Sequence, residues 1–315
     1  MKNIARHILY TPTWISIFLG GILLAWQLLA GAITPSVQAI FFAFFIFSTG
    51  IPHGALDHLV EKETAIRAGN PFNLLAFLMK YLATMLFYAL AWFFLPTVSL
   101  FVFLIISAWH FGETDVENAP ITPLWNITRF LFGSLVLAGL LLTHASETTP
   151  IWSRITQNEP ISMSVWQFSV ENTTLILSIL SLFFLIILML AHQKSPIIFD
   201  KIRLVRLVLI LILAYFLPLL PAFALYFGGW HALCSFDSII KYLSQNAQNA
   251  KTHPLSIWLK SLPFTILAFA FLAFALWYWQ NFLQTFDPLP LLFIFLSIIT
   301  LPHLNVMHGM NSREK

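Results

Sequence analysis

The chain consists largely of long apolar runs, and this feature restricts it to folds that place helices in lipid. A helix needs about 20 apolar residues to cross a bilayer at a rise of about 1.5 Å per residue. Only 9% of the residues are charged, whereas about a quarter are charged in a soluble domain. The sequence predicts an all-α, polytopic transmembrane helix bundle. Ten spans are predicted, with eight or nine as alternatives, roughly at 13–33, 37–60, 72–95, 97–113, 124–144, 172–192, 203–218, 220–243, 256–279 and 288–309.

Lys and Arg are distributed unevenly over these spans. If the N-terminus is cytoplasmic, Arg154 is the one Lys or Arg in an extracytoplasmic loop, 145–171, and the others lie in cytoplasmic segments or towards the cytoplasmic ends of spans. The positive-inside rule then predicts that both termini are cytoplasmic. We expect a multi-pass protein of the cell's inner (cytoplasmic) membrane, with a single integral membrane domain over residues 1–315.

Charge, cysteine count and motifs exclude several classes of function. The net charge is only +3 and no basic face is present, so no nucleic acid partner is expected. Cys234 is the single cysteine, so neither an internal disulfide nor a thiolate metal cluster is possible. The sequence contains no HExxH, GxGxxG or P-loop motif. Polar residues are too few to line an aqueous transport path.

Six of the ten histidines fall into two kinds of motif. One kind is P-H-x-x-x-x-H, and the other is the dipeptide Trp-His. The first occurs as "PHGALDH" (52–58) and "PHLNVMH" (302–308), and the second as "AWHFGE" (108–113) and "GWHALCSF" (229–236).

Four of these histidines are predicted at a similar depth in the bilayer. Each lies about 11 to 16 residues into a span that runs from outside to inside, which is roughly 17–24 Å of helical rise. A buried imidazole needs partners for its ring nitrogens, and one divalent cation can take four nitrogen lone pairs at once. A donor set of nitrogens without thiolates suits Fe, Zn, Cu or Ni. The predicted metal ligands are His53, His110, His231 and His303.

Further polar residues near these ligands are candidates for indirect support or for alternative ligation. Asp57 and Glu113 follow His53 and His110 by four and three residues, so each shares a helix face with its histidine. His58 and His308 come five residues after the first histidine of their motifs, about 140° away on a regular helix. Direct ligation by either would need a distorted helix, for which the prolines of the two motifs offer a cause.

Aromatic residues around the Trp-His motifs are the candidates for a substrate tunnel. The nearest lie directly before a predicted ligand or within two turns of it. Packing between spans explains the same residues, and both interpretations remain open at this stage. The set comprises Trp109, Phe223, Tyr226, Phe227 and Trp230.

The order and spacing of the four motifs resemble the Brp/Blh family over most of the chain. "PHGALDH" in the second span is the most specific of them, and "WHFGE", "WH" and "PHLNVMH" follow in the fourth, eighth and last. That family consists of bacterial and archaeal membrane β-carotene 15,15′-dioxygenases that supply retinal to microbial rhodopsins. The resemblance implies that His53, His110 and His231 bind iron.

One position departs from the family pattern. The family's eighth-span motif carries a second histidine four residues after the first, and here that position is Ser235. A hydroxyl does not replace an imidazole, so the fourth ligand is assigned to His303 on its depth alone.

The resemblance implies a function and its partners. We expect a non-haem Fe(II) dioxygenase that cleaves the central double bond of a carotenoid, β-carotene, to retinal. The substrates would be a carotenoid from the bilayer and O2, and a microbial rhodopsin would accept the retinal.

Three alternatives stay open on the sequence. Paired histidines on neighbouring spans can ligate haem in a membrane electron-transfer protein. A metal or proton transporter would use histidines as a relay, although the spans are almost purely apolar beyond the histidine layer. The chain could also be a divergent relative without carotenoid cleavage activity.

Overall fold

The computed structural model describes residues 2–245, 253–282 and 288–313. Every regular element in this part of the chain is helical. Two segments are π-helical, π1 (Ile46–Gly50) and π2 (Phe227–Ala232). The α-helices, α1 to α15, are Lys2–Ala30, Pro35–Phe45, Ile51–Gly54, Asp57–Arg67, Leu74–Phe94, Pro96–Asp115, Pro123–Thr143, Ala145–Ile155, Pro160–Glu171, Thr173–Lys194, Lys201–Phe216, Leu219–Tyr226, Leu233–Ser244, Pro254–Phe282 and Pro288–Arg313.

The described residues contain nine helical stretches that are long and apolar enough to cross a membrane. This confirms the prediction of an all-α polytopic bundle. The stretch predicted at 203–218 is not among the nine, because α11 has only 16 residues. The second span is longer than predicted, since it continues through π1 and α3 to the end of α4. The nine stretches are Pro12–Ala30, Pro35–Arg67, Leu74–Phe94, Pro96–Asp115, Pro123–Thr143, Thr173–Lys194, Leu219–Ser244, Pro254–Tyr278 and Leu289–Asn311.

Short polar side chains fix where several of these helices begin. The first N–H groups of a helix have no partner within it, and a side-chain oxygen just before the helix can accept from one of them. Asn73 accepts from Ala76 N (3.1 Å) before α5, and Asp200 accepts from Ile202 N (3.0 Å) before α11. Thr122 plays the same part before α7, which the sequence placed within a residue of its observed start.

One compact unit consists of Met1–Gly50, Ala108–Thr148 and Ser169–Ser238. Helix α12 lies at its centre and contacts α1, α2, α7 and α11. Six of the eight residues of α12 are buried, and the small ones among them, such as Ala222 and Ala224, allow the neighbouring helices to approach closely. Helix α10 packs on α7, and only 6% of its apolar window is buried, so most of its surface faces outwards.

A second compact unit consists of Ile51–Ser107, Thr149–Phe168 and Ile239–Lys315. Its organising element is α15, which contacts α3, α4, α5 and α14. Leu296, Met307 and Met310 of α15 are buried, whereas α5 exposes most of its apolar side chains, as expected for a helix that faces lipid. The single domain over residues 1–315 stays a prediction.

Candidate metal centre

Three buried imidazoles form the core of the site. His53, His110 and His303 each offer one ring nitrogen, and these nitrogens all lie within 4.8 Å of one another. The three residues are 3%, 3% and 5% exposed. Two nitrogens bound to one ion at about 2.0–2.1 Å are at most about 4.2 Å apart, so small side-chain rotations would bring all three onto one cation. The donor set therefore fits a metal ion.

A fourth imidazole, His231, lies beside one member of this group, His110. Its Nε2 atom lies 3.1 Å from Nε2 of His110, and the two rings are inclined by 73°. Ligands at right angles on one ion would have their nitrogens about 3.0 Å apart. The same separation also suits an N–H···N hydrogen bond between the rings. Each of the four histidines that the sequence placed at one depth therefore lies close to at least one of the others. Ligation of a metal by them stays a prediction.

Two irregular helical turns position His53 and His231. Segment π1 ends three residues before His53, and π2 contains His231. A π turn accommodates one extra residue, so it changes the direction in which the following side chains point, and such turns often occur at functional sites. The Thr49 hydroxyl lies 2.8 Å from the carbonyl oxygen of Phe45 and 2.9 Å from that of Gly228, and so it links π1 to π2.

The backbone around His110 is held by a close crossing of α6 and α7. A Cβ atom at Gly112 would overlap the carbonyl of Arg129, and one at Gly133 would overlap the carbonyl of Ala108. Only glycine allows the two backbones to approach this closely. His110 lies two residues from each of the contacts on α6, so its position depends on this crossing.

Asp57 orients His303 through a hydrogen bond. Nδ1 of His303 lies 2.8 Å from Oδ1 of Asp57, and the Tyr81 hydroxyl donates to Oδ2 at 2.9 Å. A carboxylate that accepts from Nδ1–H fixes the tautomer and leaves Nε2 as the lone-pair donor, the usual arrangement around a metal-bound histidine. The sequence predicted this supporting role for Asp57 beside His53 on its own helix, and the observed partner is His303.

Three other candidates lie outside the donor group. The half-buried His58 has its Nδ1 3.1 Å from the carbonyl of Ala55 and its ring against Phe264. His308 is exposed, and Glu113 interacts electrostatically with Arg129. A supporting or ligating role of these three residues at the metal stays a prediction.

The predicted distortion in the span of His53 is present, and it includes the turn before Pro52, where a proline disturbs a helix. The helix changes pitch in π1, before Pro52, and is interrupted again at Ala55 and Leu56. There Leu56 N bonds to the carbonyl of His53 at 3.4 Å instead of reaching one residue further back. The distortion does not bring His58 to the group.

A column of parallel aromatic rings leads to His231. Phe227 stacks on the His231 ring with centroids 5.9 Å apart, and Phe223 stacks on Phe227 at 5.3 Å. Phe42 continues the column beyond Phe223 at 6.2 Å. Phe223, Phe227 and Trp109 are half-buried, so they keep some open surface, as residues that border a substrate would. Their contact with a substrate stays a prediction.

Tyr226 and Trp230 are placed differently. Both are 0% exposed, and both polar ends are directed at one carboxylate: the Tyr226 hydroxyl donates to Asp115 Oδ2 at 2.7 Å and Trp230 Nε1 donates to Oδ1 at 2.6 Å. Neither ring has open surface for a substrate, so packing explains these two residues better than a tunnel wall does.

Sequence reasoning missed Tyr81 and Asp115. Tyr81 lies in an apolar span with no local motif around it. Asp115 ends the stretch "WHFGETD", in which only the nearer Glu113 was singled out. A carboxylate at the end of a predicted span was the one available signal, because a buried charge needs a partner.

Comparisons with known proteins show which family the chain resembles. Residues 13–311 match the family described as beta-carotene 15,15′-dioxygenase. A protein of that name from an uncultured marine bacterium, 66A03, is 30% identical over 197 residues. The match covers 62% of this chain and 66% of that protein, just under two thirds of its length. No solved structure matches the chain.

Proposed function

The chain belongs to the beta-carotene 15,15′-dioxygenase family, and on that premise we propose that it cleaves the central double bond of a carotenoid, β-carotene, to retinal. The observation that carries the proposal is the buried group of His53, His110 and His303, with His231 beside His110. Both oxygen atoms of one O2 molecule enter the products: the C15=C15′ bond breaks, each carbon gains one oxygen, and two aldehydes form. No further reductant is needed.

We propose Fe(2+) as the resident metal. His53, His110, His231 and His303 would hold it through their ring nitrogens, and such a donor set also suits zinc, copper or nickel. Zinc has no redox chemistry, whereas insertion of both atoms of O2 requires an ion that can exchange electrons. Bound iron would supply the activation of dioxygen. The ion would be a non-haem centre.

The chain's own residues hold and shield this centre. Asp57 accepts the Nδ1 proton of His303 and so keeps Nε2 available as a donor. All four histidines are buried, at 5% exposure or less, so bulk water is kept away from the reacting carbons. The column of Phe223 and Phe227 offers an apolar, polarisable surface beside His231, suited to a polyene without charged groups.

The same chemistry supports proposals on location and partners. A carotenoid dissolves in lipid, and helices such as α5 and α10 expose apolar side chains over most of their length. We place the protein in the cytoplasmic membrane, with the carotenoid entering from the bilayer. A microbial rhodopsin would be the acceptor of the retinal that is formed.

A haem bound between His110 and His231 is disfavoured by the distance between these two rings. Nε2 of His110 and Nε2 of His231 are only 3.1 Å apart. A porphyrin does not fit between these two rings.

The test is expression in a bacterium that produces β-carotene. We expect cells with the intact protein to lose their orange colour and to form retinal, and both changes to vanish in His53→Ala and His110→Ala. His308→Ala is the matched control, because it removes an exposed imidazole from the helix that carries His303. Under ¹⁸O2, retinal should carry the label. Unchanged pigment in cells that contain the intact protein would overturn the proposal and leave a divergent relative without cleavage activity.

A further inference from the structure

We propose that Asp115 is a positioning residue for the metal centre, with its carboxylate clamping the helix of His110 to the segment of His231. The inference rests on the proposed function, because it concerns the same group of imidazoles. Asp115 is the last residue of α6 and comes five residues after His110. Trp230, which the carboxylate holds, directly precedes His231 in π2.

Both carboxylate oxygens of Asp115 are used by the segment that carries His231. Oδ2 accepts from the Tyr226 hydroxyl at 2.7 Å, and Oδ1 accepts from Trp230 Nε1 at 2.6 Å. Hydrogen bonds to an ionised acceptor are short and about twice as strong as neutral ones. The two bonds hold π2 at its start and near its end, so they restrict rotation of the segment as well as its distance from α6.

Burial makes this clamp hard to replace. Tyr226 and Trp230 are 0% exposed, so water cannot readily take the place of the carboxylate at their donor groups. A buried donor without an acceptor is costly. The segment therefore keeps its position relative to α6 as long as Asp115 is present.

Arg203 reaches the end of α6 from a third helix, α11. Its Nη2 donates to the carbonyl of Thr114 at 2.7 Å, and its Nη1 pairs with Glu117 Oε2 at 2.9 Å. The guanidinium also lies 5.2 Å from the centroid of the Trp230 ring. A positive charge near the face of the Trp230 ring favours the observed ring position.

The consequence for the metal centre follows from helix geometry. Neighbouring side chains on a helix point in different directions, so a Trp230 ring fixed on one side directs His231 to another side, towards His110. The 3.1 Å separation of the two Nε2 atoms is then set by a carboxylate that acts through the backbone and touches neither imidazole.

The experiment measures binding of Co²⁺ to the purified full-length protein in detergent, by visible absorption. In Asp115→Asn the amide oxygen can accept one bond and the other donor loses its partner, so we expect Co²⁺ to bind about tenfold more weakly, with an altered absorption band. Tyr226→Phe removes one donor and should give a smaller loss. The melting temperature of each variant is recorded in parallel.

Glu117→Gln is the matched control. It removes a carboxylate two residues away, together with its pair to Arg203, but leaves both bonds to Asp115, so Co²⁺ binding should match that of the intact protein. Equal affinities in Asp115→Asn and Glu117→Gln would overturn the clamp. If Asp115→Asn does not fold, Tyr226→Phe becomes the test. Co²⁺ binding in Tyr226→Phe equal to that of the intact protein would then overturn the clamp. A protein that binds Co²⁺ as described yet forms no retinal would instead contradict the proposed function.

Discussion

His53 and His58 lie in one span, five residues apart, and their surroundings differ in kind. His53 is 3% exposed and offers a nitrogen to the donor group, whereas His58 lies against Phe264. The two positions form a matched pair of substitutions. We expect His53→Ala to abolish metal binding and retinal formation and His58→Ala to retain both, measured as metal content per protein and retinal formed. Loss of metal to the same degree in both variants would contradict the assignment.

Asp57 and Tyr81 are predicted to contribute unequally. In Asp57→Asn an amide N–H can face Nδ1 of His303 and favour the tautomer with its proton on Nε2, so metal affinity should fall about 10–100-fold. Tyr81→Phe keeps the carboxylate and removes one hydrogen bond to it, which should cost about 0.5–1.5 kcal/mol of stability. Metal titration and thermal unfolding separate the two effects. Equal affinity losses would show that Tyr81 matters as much to His303 as the carboxylate does.

At this scale, the sequence predicted the residues that repeat a pattern and missed those that do not. The four histidines could be found because counting along helices gives their depth. The partner of Asp57 could not be found in this way, since His303 lies 246 residues further along the chain. Tyr81 and Asp115 can be recognised only from the folded structure, which brings Tyr81 to its acceptor Asp57 and Asp115 to its donors Tyr226 and Trp230.

Helices α6 and α7 cross at Gly112 and Gly133, where there is no room for a Cβ atom. This crossing holds the backbone around His110. Gly112→Ala should push α6 away from the carbonyl of Arg129, at a cost of about 1–3 kcal/mol, typical of overpacking. Metal affinity should fall with it. Gly139→Ala on α7 is the control, because nothing lies within 4 Å of its added Cβ, and no loss is expected. Thermal unfolding in detergent and metal titration provide the measurements. If Gly112→Ala changes neither stability nor metal affinity, the crossing does not support His110.

Element boundaries followed from hydropathy, whereas the irregular turns did not. Lipid provides no partners for backbone groups, so apolar runs of sufficient length must be helical. Segments π1 and π2 are linked by a contact between Thr49 and the carbonyl of Gly228, 179 residues apart. Helical periodicity places the residues of a regular α-helix only, so it cannot indicate where an extra residue enters a turn.

For the molecule as a whole, α11 decides the membrane topology. Its 16 residues rise about 24 Å, less than the roughly 30 Å of a hydrocarbon core. The hydropathy of α11 therefore predicts a span, whereas its length argues against one. It nevertheless packs on α1, α7 and α12 within its unit, and side chains such as Val208 and Ile212 are exposed as lipid-facing residues are. We infer that α11 crosses as a tenth span, in a locally thinned bilayer.

The number of spans fixes the side on which the chain ends. With α11 as a tenth span the two termini share one side, and the positive-inside rule makes that side the cytoplasm; with nine spans they lie on opposite sides. Reporters fused after residue 200 and after residue 315 test this. Green fluorescent protein should fluoresce at both positions and alkaline phosphatase should be inactive at both. The fusion after residue 200 precedes α11 and is cytoplasmic in either case, so it serves as the control. Active phosphatase at the C-terminus alone would remove α11 from the spans and would reverse the direction of the helices that carry His231 and His303 through the membrane.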